Sequence, residues 1–234
     1  MQALRSALHH RALIPFAPFI EPLVGDGAPT LEAIDRVLGP PAGVRFAAQP
    51  PRRRRGEPFE AARSYDGSIA DAGVVPTRPG SLHDLMNAVA WAAFPRSKRA
   101  IHRLQAAALR AEVADGSTTL PGRRSRLRDR LSMLDEGGVI VGGEASLDGA
   151  LARADTAAIE ELRDAGAFSV WVLGHAITEH VVRAPQLLVR GCVVRVEGTD
   201  PDAALSARLS TLGPEALTAW IGALPSLPVA ALLR

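Results

Sequence analysis

The stretch Ser81–Phe94, SLHDLMNAVAWAAF, constrains the fold more than any other. It predicts a single helix that is apolar almost all the way round, and such a helix belongs in an interior. At about 100° per residue, its His83, Asp84 and Asn87 fall within one arc, and Trp91 and Phe94 follow along the same arc. Buried polar groups must find partners. The rest of the chain therefore has to wrap this helix and bring hydrophilic side chains to its polar stripe.

Composition bounds the answer. The chain has 234 residues, 47% hydrophobic and 22% charged, which is ordinary for a globular protein. A single cysteine, Cys192, excludes an internal disulfide and a cysteine-based zinc cage. It reads as buried packing in a strand. Apolar runs long enough to span a bilayer are absent. Near the N-terminus, ALIPFAPFI is broken by Pro15 and Pro18 and does not make a secretory signal. The expectation is a soluble cytoplasmic protein with no membrane contact. Lys98 is the only lysine among 27 basic residues, so arginine abundance reflects codon usage more than function. The distribution is more informative. Residues 95–130 carry a net +7 against −5 for the remainder. Arg96, Lys98, Arg99, Arg103, Arg124, Arg126 and Arg128 are then the contacts expected for an anionic partner.

Element signals follow in chain order. Thr30 caps a helix expected to end at Gly39-Pro40-Pro41. Val44 to Ala47 reads as a strand, the four arginines 52–55 as a solvated loop, and Pro58 to Ala72 as a helix closed by Gly73. Pro76 and Pro79 keep the loop carrying Thr77 and Arg78 extended. Ser81 caps the key helix, with Asp84 at the capping-box position. Pro95 opens the next helix, whose apolar face is Ile101, Leu104, Ala108 and Leu109. A polar linker then leads to a short basic helix. LSML-DEGG-VIV reads as two strands joined by a tight turn, with Asp135 and Glu136 at its tip and Gly137 and Gly138 at positive φ. One or two helices, a buried strand FSVWVL and a helix GHAITEHVV follow, then a strand through Cys192. Asp200-Pro201 and Gly213-Pro214 each start a helix, and the apolar tail packs on the surface of the core. The fold class is α+β, a helix-dominated globule with a small, mostly antiparallel sheet. Neither phosphate-binding glycine motif occurs, nor does the G-x-S-x-G serine elbow.

His83 and Asn87 lie one turn apart, and His175 and Glu179 repeat that spacing on a second helix. If the two helices face each other, these groups can converge on a divalent metal, with His83, His175 and Glu179 as ligands, or on a small polar ligand. Asp135 could complete such a site. Each residue also has a structural reading. Asp84 serves the Ser81 cap, Asp135 and Glu136 serve a turn, Glu179 pairs with Arg183, and His83 ties down the helix start. His102 and His180 read as surface residues.

In SLHDLMNAVAWAAFPRSK and its surroundings, the chain resembles a bacterial family known as domain of unknown function 3025. The resemblance runs from about Phe46 to Pro185. It includes Tyr65, Gly73-Val-Val-Pro-Thr-Arg78, His83-Asp84-Leu85, Asn87, Trp91, Phe94-Pro95, Lys98, Arg128-Asp129, Leu134-Asp135-Glu136, Gly138, Gly174-His175-Ala176 and Glu179. Leu82 stands where the family usually has an aromatic residue, and Asp66 supplies its usual acid after the tyrosine. The resemblance implies kinship and no particular activity. The chain reads as one domain, with a wrapping arm and first helices over 1–43, a family core over 44–185 and a C-terminal strand and helices over 186–234.

Three functions fit. The first is a polar cleft of Arg78, His83, Asp84, Asn87, Asp135, His175 and Glu179 that binds a metal or polar ligand and is hydrolytic in one version. There His83, His175 or Glu179 would do the chemistry and Arg78 would anchor an anion. The second is a binding module for nucleic acid or another anionic partner through 95–130. The third is a polar cluster that only locks the fold.

Overall fold

The computed structural model describes residues 2–51, 58–113, 124–184, 186 and 188–233. The arginine run, the linker after Asp115 and Pro185 lie outside them. Helix α1 (Gln2–Ala7), short turns around α2 (Ala17–Ile20) and α3 (Leu31–Ala42) come first. Thr30 caps α3 by accepting from the Ala33 N–H at 3.2 Å. The helix runs past its expected end, through Pro40 and Pro41. Both prolines sit in its last turn, so the helix forgoes only the two ladder bonds that their missing N–H groups would have made to Arg36 and Val37. Gly43, at φ 64°, closes the end by donating to Gly39 and Pro40.

Strand β1 (Arg45–Ala48) pairs in parallel with β2 (Val74–Thr77). Between them the expected helix is shorter than its sequence pattern. A 3-10 turn at Ala61–Arg63 precedes α4 (Tyr65–Ala72), which Ser64 caps by accepting from the Gly67 N–H. Helix α5 (Leu82–Ala93) follows, and every residue from Asp84 to Ala92 is buried. Its partners include α3 on one side and α10 (His175–Arg183) on the other. Pro95 then opens α6 (Pro95–Glu112).

The expected hairpin at LSML-DEGG-VIV is a helix followed by a strand. Ser125 starts α7 (Arg126–Gly137), and Leu131, Leu134 and Asp135 fill its buried face at helical spacing. The chain leaves the helix at Gly138, whose φ is −71°, so no left-handed turn forms here. A Cβ on Gly138 would stand in contact with the Leu134 carbonyl oxygen, and this tight exit is what the glycine permits. Asp135 and Glu136 therefore sit on the last turn of a helix, where the turn reading had put them at a hairpin tip.

Strand β3 (Gly138–Gly143), α8 (Ser146–Ala152), α9 (Thr156–Asp164) and β4 (Phe168–Val172) come next. After α10 come β5 (Arg190–Arg195), α11 (Pro201–Thr211), α12 (Pro214–Ala223), β6 (Ser226–Pro228) and α13 (Val229–Leu232). The larger sheet has the order β4-β3-β5-β6, with antiparallel outer pairs and a parallel β3–β5 pair at its centre. β4 is thus an edge strand with only Val172 buried, and not the fully buried strand expected. The tail goes deeper than expected: Leu227, Val229 and Leu232 are core residues. Cys192 is buried in β5, and burial pushes its thiol up to about 11. The architecture is helix-dominated α+β. Among the described residues, no helix is long and apolar enough to cross a membrane.

Candidate functional site

Helices α4, α5, α6, α7 and α10 each present polar side chains to one cleft of about 350 Å³. Its rim starts at the stiff loop after β2. The Arg78 backbone N–H donates to Asp84 Oδ2 at 2.7 Å, and its guanidinium donates to both carboxylate oxygens at 2.9 and 2.7 Å. Burial raises the Asp84 pKa, but these bonds and the Arg78 charge outweigh it and hold the carboxyl below its ordinary value. Ser81 does cap α5, accepting from the Asp84 N–H, yet the Asp84 carboxylate does not return to the cap. It clamps the Arg78 loop.

The two histidine helices meet. His83 Nδ1 lies 2.8 Å from Glu179 Oε2, and His83 Nε2 lies 3.2 Å from His175 Nε2. The rings are edge to face, 4.7 Å between centroids. His175 Nδ1 lies 3.0 Å from the backbone carbonyl of Asp135 and can only donate to it. Neutral His175 then has a bare Nε2, which accepts from His83 Nε2–H. Burial, then the Lys98 charge, lowers the His175 pKa to about 3, which keeps it neutral. With every bond made, His83 donates from both nitrogens, one to Glu179 and one to His175. Burial raises the Glu179 pKa, but hydrogen bonds from His83 and Arg183 bring it below its usual value. The geometry depends on Gly174, since a Cβ there would lie 2.5 Å from the Glu136 carbonyl oxygen. A larger residue would push the start of α10 away from α7.

Beneath this layer lies an ion pair that the sequence pattern had placed on the surface. Lys98 is fully buried, and its ammonium donates to Asp135 Oδ1 at 2.5 Å and to Asn87 Oδ1 at 2.8 Å. Asn87 in turn donates to the Tyr65 hydroxyl at 2.8 Å. Burial lowers the Lys98 pKa and Asp135 opposes it. Burial raises Asp135, but the Lys98 charge and the hydrogen bond from its ammonium outweigh it and hold the carboxyl well below its usual range. Burial and the Asp135 charge push the Tyr65 phenol up. Trp91 floors the cluster, stacked on His102 at 5.3 Å, with Lys98 Nζ 5.8 Å from its ring centroid.

A family profile described as "Protein of unknown function (DUF3025)" matches residues 54–218, more than half of the chain. The chain belongs to this family. No curated protein and no solved structure matches it. The DUF3025 match takes in all five helices that line the cleft and extends past the expected limit at 185, into α12.

Six of the seven residues expected in the cleft line it, and Glu179 is joined to them through His83; they form three subgroups: Arg78 with Asp84; His83, His175 and Glu179; and Asn87 with Asp135, joined through Lys98. Among the described residues, no group of three His, Cys, Asp or Glu side chains is placed to hold a metal ion. Both nitrogens of His83 and of His175 face protein partners instead. Two expectations are corrected. Lys98 cannot contact an anionic partner, because it is sealed inside. His102, expected on the surface, is 2% exposed. Of the other basic candidates, Arg96 pairs with Asp200, Arg124 with Asp129 and Arg128 with Glu112, while Arg99 donates to the Gly43 carbonyl. Periodicity missed Tyr65, Asp66, Lys98 and His102. A compositional signal was present, since Tyr65 and Lys98 are the only residues of their types in the chain.

Proposed function

We propose that the cleft binds a small polar ligand and moves a proton to or from it, hydrolysis being one reaction of that class. The reading rests on one observation. Three histidines, with carboxylates beside each, converge from separate helices on a cleft of about 350 Å³, within the size range of ligand sites. A cluster that only locked the fold would have no need of open volume beside it. His83 fits a proton-donating role, because its side chain is 37% exposed while those of its partners Glu179 and His175 are 17% and 5%. Glu179 orients it, and His175 receives its second hydrogen. The remaining charge of the Arg78 fork faces the rim, suited to an anionic group on the ligand. A lone, buried Cys192 suits a reducing compartment, so the setting proposed is a bacterial cytoplasm.

The test is a screen of small polar fragments against the uniformly labelled protein by NMR. Fragments that bind should shift the signals of His83, His175 and Asn87 together. If fragments bind only elsewhere, or none binds, the ligand-site reading fails and the lock reading takes its place.

A further inference from the structure

His83 and His175 have no free nitrogen. His102 does. Its Nδ1 lies 2.9 Å from Asp66 Oδ1, and a carboxylate oxygen can only accept, so Nδ1 carries the hydrogen. Asp66 is itself fixed at the start of α4 by the Ser64 cap. In its neutral form the ring then presents a bare lone pair at Nε2. That atom is buried and has no hydrogen-bond partner among the described residues. His102 is one of the residues that line the cleft, and its Nε2, sealed behind that lining, stands 3.8 Å from Asp135 Oδ1. Two acceptors face each other with no donor between them, although buried acceptors are almost always satisfied. The ring cannot turn away to find another partner. Trp91 stacks on one face at 5.3 Å, and Tyr65 packs edge-on at 5.6 Å.

We propose that His102, oriented by Asp66, is the hydrogen-accepting base of the cleft, and that its natural partner is a hydroxyl group, on the ligand or as water. This rests on the ligand-site reading above and assigns the atom the ligand meets. A neutral donor fits better than a cation. The Asp135 oxygen opposite already holds the Lys98 ammonium at 2.5 Å, and a second positive group there would be repelled. In the step this geometry allows, the O–H proton passes to Nε2 while its electron pair stays on oxygen. The resulting imidazolium is stabilised by the Asp66 carboxylate on the opposite nitrogen, as in other carboxylate-oriented histidine bases. His102 is thus an atom-level acceptor, whereas His83 and His175 are hydrogen-bonded to each other at the rim.

The experiment uses the full-length protein labelled with nitrogen-15 in its histidines, read by long-range proton–nitrogen NMR at neutral pH. His102 is assigned from the spectrum of His102→Gln or, if that variant does not fold, by elimination with single Gln variants of the other five histidines, His9, His10, His83, His175 and His180. Glycerol is the hydroxyl probe and methylammonium chloride the cationic one. The expected result is an unprotonated His102 Nε2 in the free protein that shifts saturably with glycerol and not with methylammonium. A hydrogen on Nε2 in the free protein, or a response to methylammonium alone, overturns the proposal. If the probes move only His83 or His175, the site stands and the role of His102 is lost. If neither probe moves any of these three histidines, the ligand-site reading falls with it.

Discussion

Replacing Lys98 by Met removes a charge from a place that water does not reach. The Lys98 side chain is 0% exposed and that of Asp135 9%, so the carboxylate would be left without its cation in the interior. Breaking a buried pair by removing one partner costs about 3–5 kcal/mol. That is a large share of the roughly 5–15 kcal/mol that holds a typical protein together. Lys98→Met should therefore lower the urea midpoint sharply at pH 7 with the m-value kept. The pH dependence gives an independent check. In the native protein the Asp135 pKa is lowered, so its contribution is present above the unfolded value of about 4 and is lost as pH falls. Without Lys98, burial dominates and raises that pKa, so the variant gains stability as Asp135 takes up a proton. The gap between variant and parent should narrow towards pH 5. The double variant Lys98→Met, Asp135→Leu should recover most of the loss, because an apolar pair replaces the ionic one. Lys98→Arg should not rescue, since forcing a larger group into a packed interior costs about 1–3 kcal/mol. A loss below about 1 kcal/mol in Lys98→Met, or equal losses in the single and double variants, would refute the reasoning.

Three further outcomes follow from the same geometry. His175 is 4% exposed with its pKa lowered to about 3. The unfolded chain therefore binds a proton below about pH 6.5 that the folded chain refuses, and stability should fall as pH drops from there towards 3, by up to roughly 4–5 kcal/mol. His175→Gln can still accept from His83 and should flatten that slope in denaturation curves taken across the window. Asp84→Ala leaves the Arg78 backbone N–H without its acceptor; a loss of about 1–3 kcal/mol is expected, with faster amide exchange at residues 78–81. Treatment with a chelator should leave the melting temperature unchanged, because the nitrogens of His83 and His175 are engaged by protein groups.

Much of this was legible in the sequence, and the failures have physical causes. The burial of α5 and its polar stripe could be read from periodicity, because every third or fourth position is constrained by the interior. The meeting of His83 with His175 and Glu179 followed from two matching four-residue spacings, although only the fold could bring them face to face. The buried face of α6 is rotated by about one-sixth of a turn from the apolar face expected. Charge suggested that Lys98 and His102 face solvent, whereas the buried face is Ser97, Lys98, Ile101, His102, Gln105, Ala106 and Leu109. A polar residue with a buried partner is indistinguishable in sequence from one that meets water, and the partners here are 36 and 37 residues away. At LSML-DEGG, paired glycines suggested a hairpin because their use for close approach looks the same as their use for positive φ. The Ser125 cap was the competing signal, and it prevailed.

Whether the rim of this cluster serves a ligand or only the fold is answered most directly by the unfolding free energy of His83→Ala at pH 7. His83 sits at the water's edge, so water can satisfy Glu179 and His175 after truncation, and a ligand site predicts stability within about 1 kcal/mol of the parent or above it. A loss on the order of 2–6 kcal/mol, the cost of two partners left unpaired, would contradict it and make the cluster a lock.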